Sequence, residues 1–288
     1  MTTYTHFSFN SFPADILPIR KERSCKGDFG RVLCICGSVG MAGAAYLCAK
    51  SAYRTGAGLV EIFTPEENRT VLQSTLPEAI ITSYTEENAI DLLLSSMQKS
   101  DCIVAGCGLS VTPLSRKILS TLLHNVDTAN TPLILDADAL NLISKNPSFL
   151  KYIKGAIITP HALEFSRLSG NSVEEILNSP DALAYQYAKK YSLICVLKDH
   201  TTIVTDGSEK LYINNTGNSG MATAGSGDVL SGIIAGLAAQ SRKASLDIAS
   251  LGVYIHGLCG DISARRLSEY SLMASDLIDA LPIVFNNT

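Results

Sequence analysis

Short apolar runs alternate with helix-length segments along this 288-residue chain. The runs are four to seven residues long, as in VLCIC, CIVA and LICVL, and they contain few polar residues. Continuous apolar runs of this length are typical of strands that crossover helices bury on both faces. The sequence therefore predicts an α/β fold with a mostly parallel central sheet flanked by helices.

The pattern predicts nine strands and eight helices. The strands are expected at 31–36, 59–63, 78–82, 102–105, 133–136, 156–159, 193–197, 202–205 and 210–213, and the helices at 42–55, 89–98, 115–125, 163–168, 182–191, 228–239, 246–266 and 274–283. Gly207 and Ser208 join the last two strands, which predicts an antiparallel hairpin at the edge of the sheet. No linker or repeat divides the chain, so we expect one domain over 1–288 with an N-terminal extension of about 25 residues.

Charge and composition argue against several classes of partner. Charged residues make up 17% of the chain, and the formal net charge of −4 is not gathered into blocks. No basic stripe indicates nucleic acid, and no apolar run is long enough for a membrane span. Most of the eight cysteines lie singly in apolar runs, where a thiol packs as a small hydrophobic group. We therefore expect a cytoplasmic protein with reduced thiols and, since no cysteine pair has ligand spacing, no structural zinc site.

Five strand ends carry candidate functional segments, because ligands in open α/β sheets bind beyond the carboxyl ends of the strands. They are GSVGMAGAA (37–45), GCG (106–108), DADALN (136–141), PHALE (160–164) and KDHTT (198–202). Each also has an ordinary explanation. The two acids of DADALN could hold a metal, orient a basic group or cap a helix, and His161 could bind a ligand or lie on the surface.

A sixth segment, NSGMATAGSGDVLSG (218–232), gives the strongest signal. Gly225, Ser226 and Gly227 leave the backbone N–H groups uncovered where a helix is expected to begin near Asp228, and such an end attracts anions. The segment lacks the lysine of a P-loop and does not follow the first strand, as a dinucleotide fingerprint would. It is therefore predicted to bind phosphate in a different way.

Asp228 lies at the mouth of this anion site. A carboxylate there could simply stabilise the helix through its dipole, by about 0.3–1 kcal/mol. It would also repel a bound polyphosphate. Its presence therefore favours a role in which the carboxylate acts on a hydroxyl group that attacks the phosphate. With an ordinary aspartate pKa of about 3.9, it is expected to be ionised and able to accept that proton.

Four motifs in order carry a family resemblance: KGDFGRVLCICGSVGMAGAA, TPHALEF, KDHTT and NSGMATAGSGDVLSG. Over residues 26–282 the chain resembles the ADP/ATP-dependent NAD(P)H-hydrate dehydratases, which have a ribokinase-like fold. The resemblance implies a carbon–oxygen lyase that repairs the 6-hydroxylated form of NADH or NADPH. ADP or ATP would donate a phosphoryl group with Mg²⁺, and the C6 phosphate would then leave.

The resemblance also implies roles for particular residues. It places substrate contacts on Ala44, Gly108, His161 and Asp228, with Asp228 as the catalytic base. It places nucleotide contacts on Lys198, Asp199, His200, Thr201, Thr202 and Gly227, to which the anion site adds Gly225 and Ser226. Glu164 matches an acid that organises Mg²⁺ through water. The family further implies a homo-oligomer, commonly a tetramer, and a separate epimerase, since too few residues precede Lys26 for a fused one.

Several positions depart from the family's pattern. Glycine is usual where this chain has Ala224, Asp199 and Leu163, histidine at Cys25, and proline at Cys107. Asp199 brings a negative charge to the expected nucleotide site, so nucleotide affinity or preference is expected to differ.

Two other functions remain open from the residues. A ribokinase-like kinase for a vitamin precursor, such as a hydroxymethylpyrimidine or a thiazole alcohol, would use the same anion site and the same Asp228. A nucleotide-binding regulator without turnover would fit the departures at Asp199 and Ala224.

Overall fold

The computed structural model describes residues 4–17 and 19–286. Ten strands of this part form one sheet: β1 (Thr5–Phe7), β2 (Arg31–Ile35), β3 (Leu59–Pro65), β4 (Ile80–Tyr84), β5 (Cys102–Ala105), β6 (Leu133–Leu135), β7 (Ile157–Ile158), β8 (Ile194–Leu197), β9 (Ile203–Thr205) and β10 (Lys210–Ile213). The order across the sheet is β1-β10-β9-β8-β7-β6-β5-β2-β3-β4.

Eleven α-helices connect these strands within the described residues. They are α1 (Ala42–Arg54), α2 (Arg69–Thr75), α3 (Ala89–Met97), α4 (Pro113–Asn125), α5 (Ala137–Lys145), α6 (Ala162–Ser169), α7 (Val173–Asn178), α8 (Pro180–Tyr191), α9 (Ser226–Ser241), α10 (Leu246–Leu267) and α11 (Ala274–Asn286). In the described ranges, no helix combines the length and the apolar character that a membrane crossing needs.

The predicted fold class is confirmed. All nine predicted strands are present. The seven neighbouring strands β8-β7-β6-β5-β2-β3-β4 pair in parallel throughout. The predicted hairpin is β9 and β10, and β9 also runs antiparallel to β8. The hairpin lies near the edge of the sheet, where β1 adds a further strand parallel to β10.

The sequence did not predict four elements: β1, α2, α5 and α7. Strand β1 has three residues and lies in the expected N-terminal extension, so its pairing with Lys210–Tyr212 decides its conformation. Helices α2, α5 and α7 have six to nine residues, a length at which a helical period is a weak signal, although α3 and α6 of similar length were predicted.

Alternation along the strands divides the core into two layers. On β2, Val32 and Cys34 face the layer formed by α1, α9, α10 and α11, whereas Leu33 and Ile35 face the layer that contains α3, α4, α5 and α8. All four side chains are fully buried. Because successive residues point to opposite faces, an unbroken apolar run buries a strand from both sides.

The topology has a switch point between β2 and β5. The chain moves outward from β2 to β3 and β4, and then returns to β5 on the other side of β2. The loops after β2 and β5 therefore diverge at one place on the carboxyl edge, where open α/β sheets bind ligands. GSVGMAGAA and Gly106-Cys107-Gly108 follow these two strands.

Helix α9 packs closely against α1, and this packing positions α9 below the switch point. A Cβ atom added to Gly232 of α9 would overlap Ser51 Oγ and the carbonyl oxygen of Cys48 on α1. The helix pair therefore depends on the absence of a side chain at Gly232.

We predict that Gly232→Ala lowers the free energy of unfolding by about 1–3 kcal/mol, because the new methyl group must separate α1 and α9. Gly43→Ala is the matched control, since Gly43 lies in α1 and has no atom within 4 Å of an added Cβ. Its free energy of unfolding should stay the same or rise by up to about 1 kcal/mol. Urea unfolding measures both variants, and equal stability of the two would contradict this account of the packing.

Candidate functional site

The loops after β2 and β5 meet at the switch point. The Gly37 N–H donates to the Cys107 carbonyl oxygen at 2.8 Å. Gly108 has a φ of +62°, and a Cβ atom there would lie 2.7 Å from Ala44 Cβ. Gly108 therefore meets both a conformational and a steric requirement. Two of the expected substrate contacts, Ala44 and Gly108, are direct neighbours.

The anion site is the N-terminus of α9, which begins at Ser226, two residues before the predicted start. Gly225 precedes it with a φ of +90°, and a Cβ there would overlap Leu47 Cδ1. The Ser226 N–H donates to the Thr223 carbonyl oxygen at 3.3 Å. Helix geometry gives the N–H groups of Gly227 and Asp228 no acceptor within the helix. These two groups are the donors that α9 offers to an anion.

His256 of α10 supports this helix end. Its Nε2 donates to the Ser226 carbonyl oxygen at 3.0 Å, and the Ser226 hydroxyl lies 3.3 Å from the same nitrogen. Burial lowers the pKa of His256 to about 4, so the ring is neutral near pH 7. Sequence reasoning did not select His256, because a single histidine within a long apolar helix gives no signal of its partner.

Lys198 brings a cation to the same place. Its ammonium lies 3.2 Å from the position that a Cβ on Gly227 would occupy. It also donates to Asp136 Oδ1 at 2.9 Å. Burial lowers its pKa, but the nearby Asp136 and Glu164 carboxylates outweigh that effect and raise it overall. The lysine that the glycine-rich segment lacks therefore arrives from the end of β8.

Asp136 connects three elements of the site. It follows β6 and is 1% exposed. It occupies the N-cap position of α5, but its side chain makes no capping hydrogen bond. Instead, Oδ1 accepts from Lys198, and Oδ2 accepts from the Ser231 hydroxyl of α9 at 2.8 Å. Of the three roles that the sequence left open, the structure shows the orientation of a basic group.

Asp228 lies beside Asp136 and Cys107, and one oxygen or sulfur atom from each falls within 4.8 Å of the others. Burial raises the pKa of Asp228 to about 7, with further contributions from Asp136 and Cys36. The expectation of an ordinary value near 3.9 is wrong, because it assumed a solvated carboxyl without an acidic neighbour. A pKa near 7 suits a group that must accept a proton at neutral pH.

His161 and Glu164 form a capping box at the start of α6. The His161 N–H donates to Glu164 Oε2 at 3.0 Å, and the Glu164 N–H donates to His161 Nδ1 at 3.3 Å. Helix α6 begins at Ala162, and His161 Nε2 lies 3.4 Å from Glu164 Oε1. Glu164 is 6% exposed, whereas the His161 side chain is half exposed. His161 also pairs with Lys198 in a parallel bridge, which places it next to the anion site.

Residues 199–202 form a turn between β8 and β9. Asp199 and His200 are exposed, and the Asp199 carboxylate accepts from the His200 N–H at 2.8 Å. Thr201 and Thr202 are partly buried, and the Thr202 carbonyl oxygen accepts from the Asn214 N–H. Among the described residues, no hydrogen bond or ion pair joins the side chains of this turn to Gly225–Gly227.

The departures from the family's pattern differ in their surroundings. Ala224, Leu163 and Cys25 are exposed, whereas Cys107 is fully buried. The Cys107 sulfur lies 4.0 Å from Asp136 Oδ2. Of these residues, Cys107 is therefore the one in direct contact with a carboxylate of the site.

A cavity of about 980 Å³ extends from the switch point along the carboxyl edge toward β4. Ser38 and Ser110 line its near side, and Tyr84 and Thr85 line its far side. The Ser38 and Ser110 hydroxyls are 2.7 Å apart, and Asp138 Oδ2 accepts from the Ser110 N–H at 2.7 Å. Asp228 and Lys198 do not line this cavity, so the charged centre of the site lies outside it.

Comparison with known proteins identifies the family. A family model described as NAD(P)H-hydrate dehydratase matches residues 32–283. The chain belongs to the NAD(P)H-hydrate dehydratase family. The resemblance carried by the four motifs is thereby confirmed.

Two relatives and one solved structure illustrate the match to this dehydratase family. A bifunctional NAD(P)H-hydrate repair enzyme of Moorella thermoacetica is 39% identical over 94% of this chain and 52% of that protein. The chain thus spans about half the length of the bifunctional relatives it matches. An ADP-dependent (S)-NAD(P)H-hydrate dehydratase of Lactococcus lactis is 31% identical over 94% of both chains. The ADP/ATP-dependent NAD(P)H-hydrate dehydratase of Bacillus subtilis, co-crystallised with ATP and Mg²⁺, superposes with a TM-score of 0.78 at 30% identity, covering 94% of each chain.

The raised pKa of Asp228 generates a prediction about stability. An unfolded aspartate ionises near 3.8 but this one ionises near 7, so the folded state is penalised increasingly from about pH 4 to pH 7 and constantly above that. We predict that Asp228→Asn raises the free energy of unfolding by about 1–3 kcal/mol at pH 8, and by less at pH 5.

Urea unfolding at both pH values measures this effect. Asp279→Asn is the control, because Asp279 is an exposed carboxylate of α11 whose side chain is 52% accessible. An Asp228→Asn variant that is less stable than the wild type at pH 8 would contradict the raised pKa.

Proposed function

We propose that this chain dehydrates the 6-hydroxylated form of NADH or NADPH in a reaction driven by ADP or ATP. The observation that carries the proposal is Asp228, a carboxyl with a pKa near 7 at the mouth of an anion site. The N–H groups of Gly227 and Asp228 and the Lys198 ammonium would bind the terminal phosphate. Asp228 would face the hydroxyl that attacks it.

The reaction follows from this placement. Asp228 takes the proton of the C6 hydroxyl while the hydroxyl oxygen attacks the terminal phosphorus, and the bond from that phosphorus to the nucleotide breaks. The ring nitrogen's lone pair then expels phosphate from C6, and loss of a proton from the neighbouring ring carbon completes the double bond. The products are the restored dinucleotide, inorganic phosphate and a nucleotide with one phosphate fewer.

The surroundings favour the transition state mainly through position and charge. The start of α9 and Lys198 present positive charge to the transferring phosphoryl group before it arrives, so little reorganisation is required. Asp136 accepts a hydrogen bond from Lys198 and so holds the positive charge of the lysine next to Gly227. Ala44, Gly108 and His161 would contact the nicotinamide, as the family resemblance implies.

The donor set fits Mg²⁺ bound through water. Glu164 is buried beside Lys198, and a carboxylate has about four lone-pair directions, of which the backbone N–H and the ring of His161 occupy two. Mg²⁺ in proteins usually keeps several waters and is bound by one or two carboxylates together with the phosphates of the substrate. When bound, it would neutralise phosphate charge, and Glu164 would hold one of its waters.

The comparisons favour the dehydratase over the vitamin-precursor kinase. Both functions need the anion site and Asp228, but the matched relatives are named as NAD(P)H-hydrate dehydratases or repair enzymes. The tetramer and the link to an epimerase stay predictions of the resemblance.

A repair assay tests the function directly. The protein is incubated with NADH-hydrate, Mg²⁺ and either ADP or ATP, and both the reduced-nicotinamide absorbance and the released phosphate are followed. We expect equimolar recovery of NADH and release of phosphate. A stable phosphorylated product would indicate the kinase, whereas nucleotide binding without turnover would indicate the regulator.

Asp228→Asn should reduce turnover in this assay by at least about a thousandfold, because the amide cannot accept the hydroxyl proton. Nucleotide affinity, measured by calorimetry, should change little. Retained turnover would show that the base lies elsewhere.

The acid limb of the pH profile gives a separate prediction. Because Asp228 must be ionised, kcat/KM for the hydrate should rise with pH and level off above about 7. Asp136→Asn removes a negative neighbour that raises this pKa, so the midpoint should move to lower pH. Asp279→Asn, which changes an exposed carboxylate of α11 that pairs with Lys50, should leave the midpoint unchanged. An unchanged or higher midpoint in Asp136→Asn would contradict the assigned cause.

A further inference from the structure

Three buried thiols converge beneath the switch point. Cys36 directly follows β2, Cys48 lies in α1, and Cys107 lies in the loop after β5. Their sulfur atoms all lie within 4.8 Å of one another. Each residue is fully buried, and each thiol is free. The sequence spaces them 12 and 59 residues apart, so no ligand motif is visible in it.

The fold holds the three thiols firmly. The Cys36 N–H donates to the Phe63 carbonyl oxygen at 3.3 Å, and the Cys107 carbonyl oxygen accepts from Gly37 at 2.8 Å. The backbone of Cys48 lies against Gly232 in the close contact between α1 and α9. Two strand ends and a packed helix therefore fix the positions of the sulfurs, and a ligand would not need to assemble them.

A second group of ligand atoms shares Cys107 with this cluster. Cys107, Asp136 and Asp228 also lie within 4.8 Å of one another through one ligand atom each. Asp228 is the partly exposed member of the two groups, whereas the other four residues are buried. Asp228 is therefore the member at which the two groups are accessible to solvent.

We propose that Cys36, Cys48 and Cys107 form a binding site for a thiophilic divalent ion of the zinc and cadmium class. A Zn–S distance of about 2.3 Å in tetrahedral geometry places sulfur atoms about 3.8 Å apart, which the limit of 4.8 Å accommodates. Soft thiolate ligands select such ions over Mg²⁺. Each coordinating thiol releases its proton when the ion binds.

A divalent ion would offset most of the charge of the three thiolates. Three thiolates and one divalent ion leave a single negative charge, and the Lys198 ammonium binds Asp136 Oδ1 while the Cys107 sulfur lies beside Oδ2 of the same carboxylate. A buried charge needs such a partner. Because Cys107 also lies within 4.8 Å of Asp228, the occupied site would place its negative charge beside the carboxylate that accepts the substrate proton and would disfavour its ionised form. It would therefore inhibit dehydration, and this consequence alone rests on the proposed function.

Cadmium binding to the full-length protein tests the site without any assay of activity. The background variant is Cys25→Ser, because Cys25 is the exposed thiol and could bind the probe on its own. CdCl₂ is titrated into the reduced, metal-free protein while thiolate-to-cadmium charge-transfer absorption and calorimetric heat are recorded. We expect one equivalent to bind with saturation of the charge-transfer band.

Two variants locate the binding. Cys48→Ala should weaken cadmium affinity by at least about a hundredfold, and Cys36→Ala serves the same purpose if the first variant does not fold. Cys195→Ala is the matched control, because Cys195 is an equally buried thiol outside the cluster, on β8. It should bind cadmium as the background protein does. No charge-transfer band at one equivalent, equal binding by Cys48→Ala, or consumption of the thiols by oxidation without metal uptake would overturn the proposal.

The inhibition is measured separately. One equivalent of Cd²⁺ should reduce hydrate turnover by at least about tenfold in the Cys25→Ser background, and a chelator should restore it. Cys48→Ala should keep its turnover under the same conditions. Cadmium binding with unchanged turnover would contradict the predicted inhibition, while a protein that binds cadmium but never acts on the hydrate would contradict only the proposed function.

Discussion

The ion pair between Lys198 and Asp136 is the interaction on which the site depends. It joins the ends of β8 and β6, and the same aspartate accepts a hydrogen bond from Ser231 of α9. An isolated buried carboxylate or ammonium would be strongly unfavourable, so each group requires the other. The result is a fixed positive charge next to Gly227, at a helix end that already attracts anions.

The same pair explains the behaviour of Asp228. Burial removes water from this carboxyl, and the nearby negative charge of Asp136 further disfavours its ionised form. The positive charge of Lys198 partly offsets this rise in the pKa of Asp228. The two acids therefore have different roles: Asp136 orients the Lys198 ammonium, and Asp228 remains available for proton transfer. The close packing of α1 on α9 keeps this arrangement at the switch point of the sheet.

Much of the fold could be predicted from the sequence because the signal is local. The apolar run CIVA predicts β5. The glycine-rich segment before α9 predicts a helix N-terminus whose backbone N–H groups are not covered by side chains. The motifs also located the strand ends from which Gly108, His161 and Lys198 arise. Short elements such as β1 and α7 were missed, since three to six residues carry too little periodicity to compete with their surroundings.

The sequence by itself determined the α/β class, the family and the segments that carry polar groups to the carboxyl edge of the sheet. These features depend on short runs of consecutive residues, namely the apolar strands and the ordered motifs. Only the tertiary structure decided what those groups do. Asp136 is a partner of Lys198 rather than a helix cap, His256 supports α9, and three separated cysteines form one cluster. The pKa of Asp228 also belongs to the fold, because desolvation and a neighbouring charge arise only when distant parts of the chain come together.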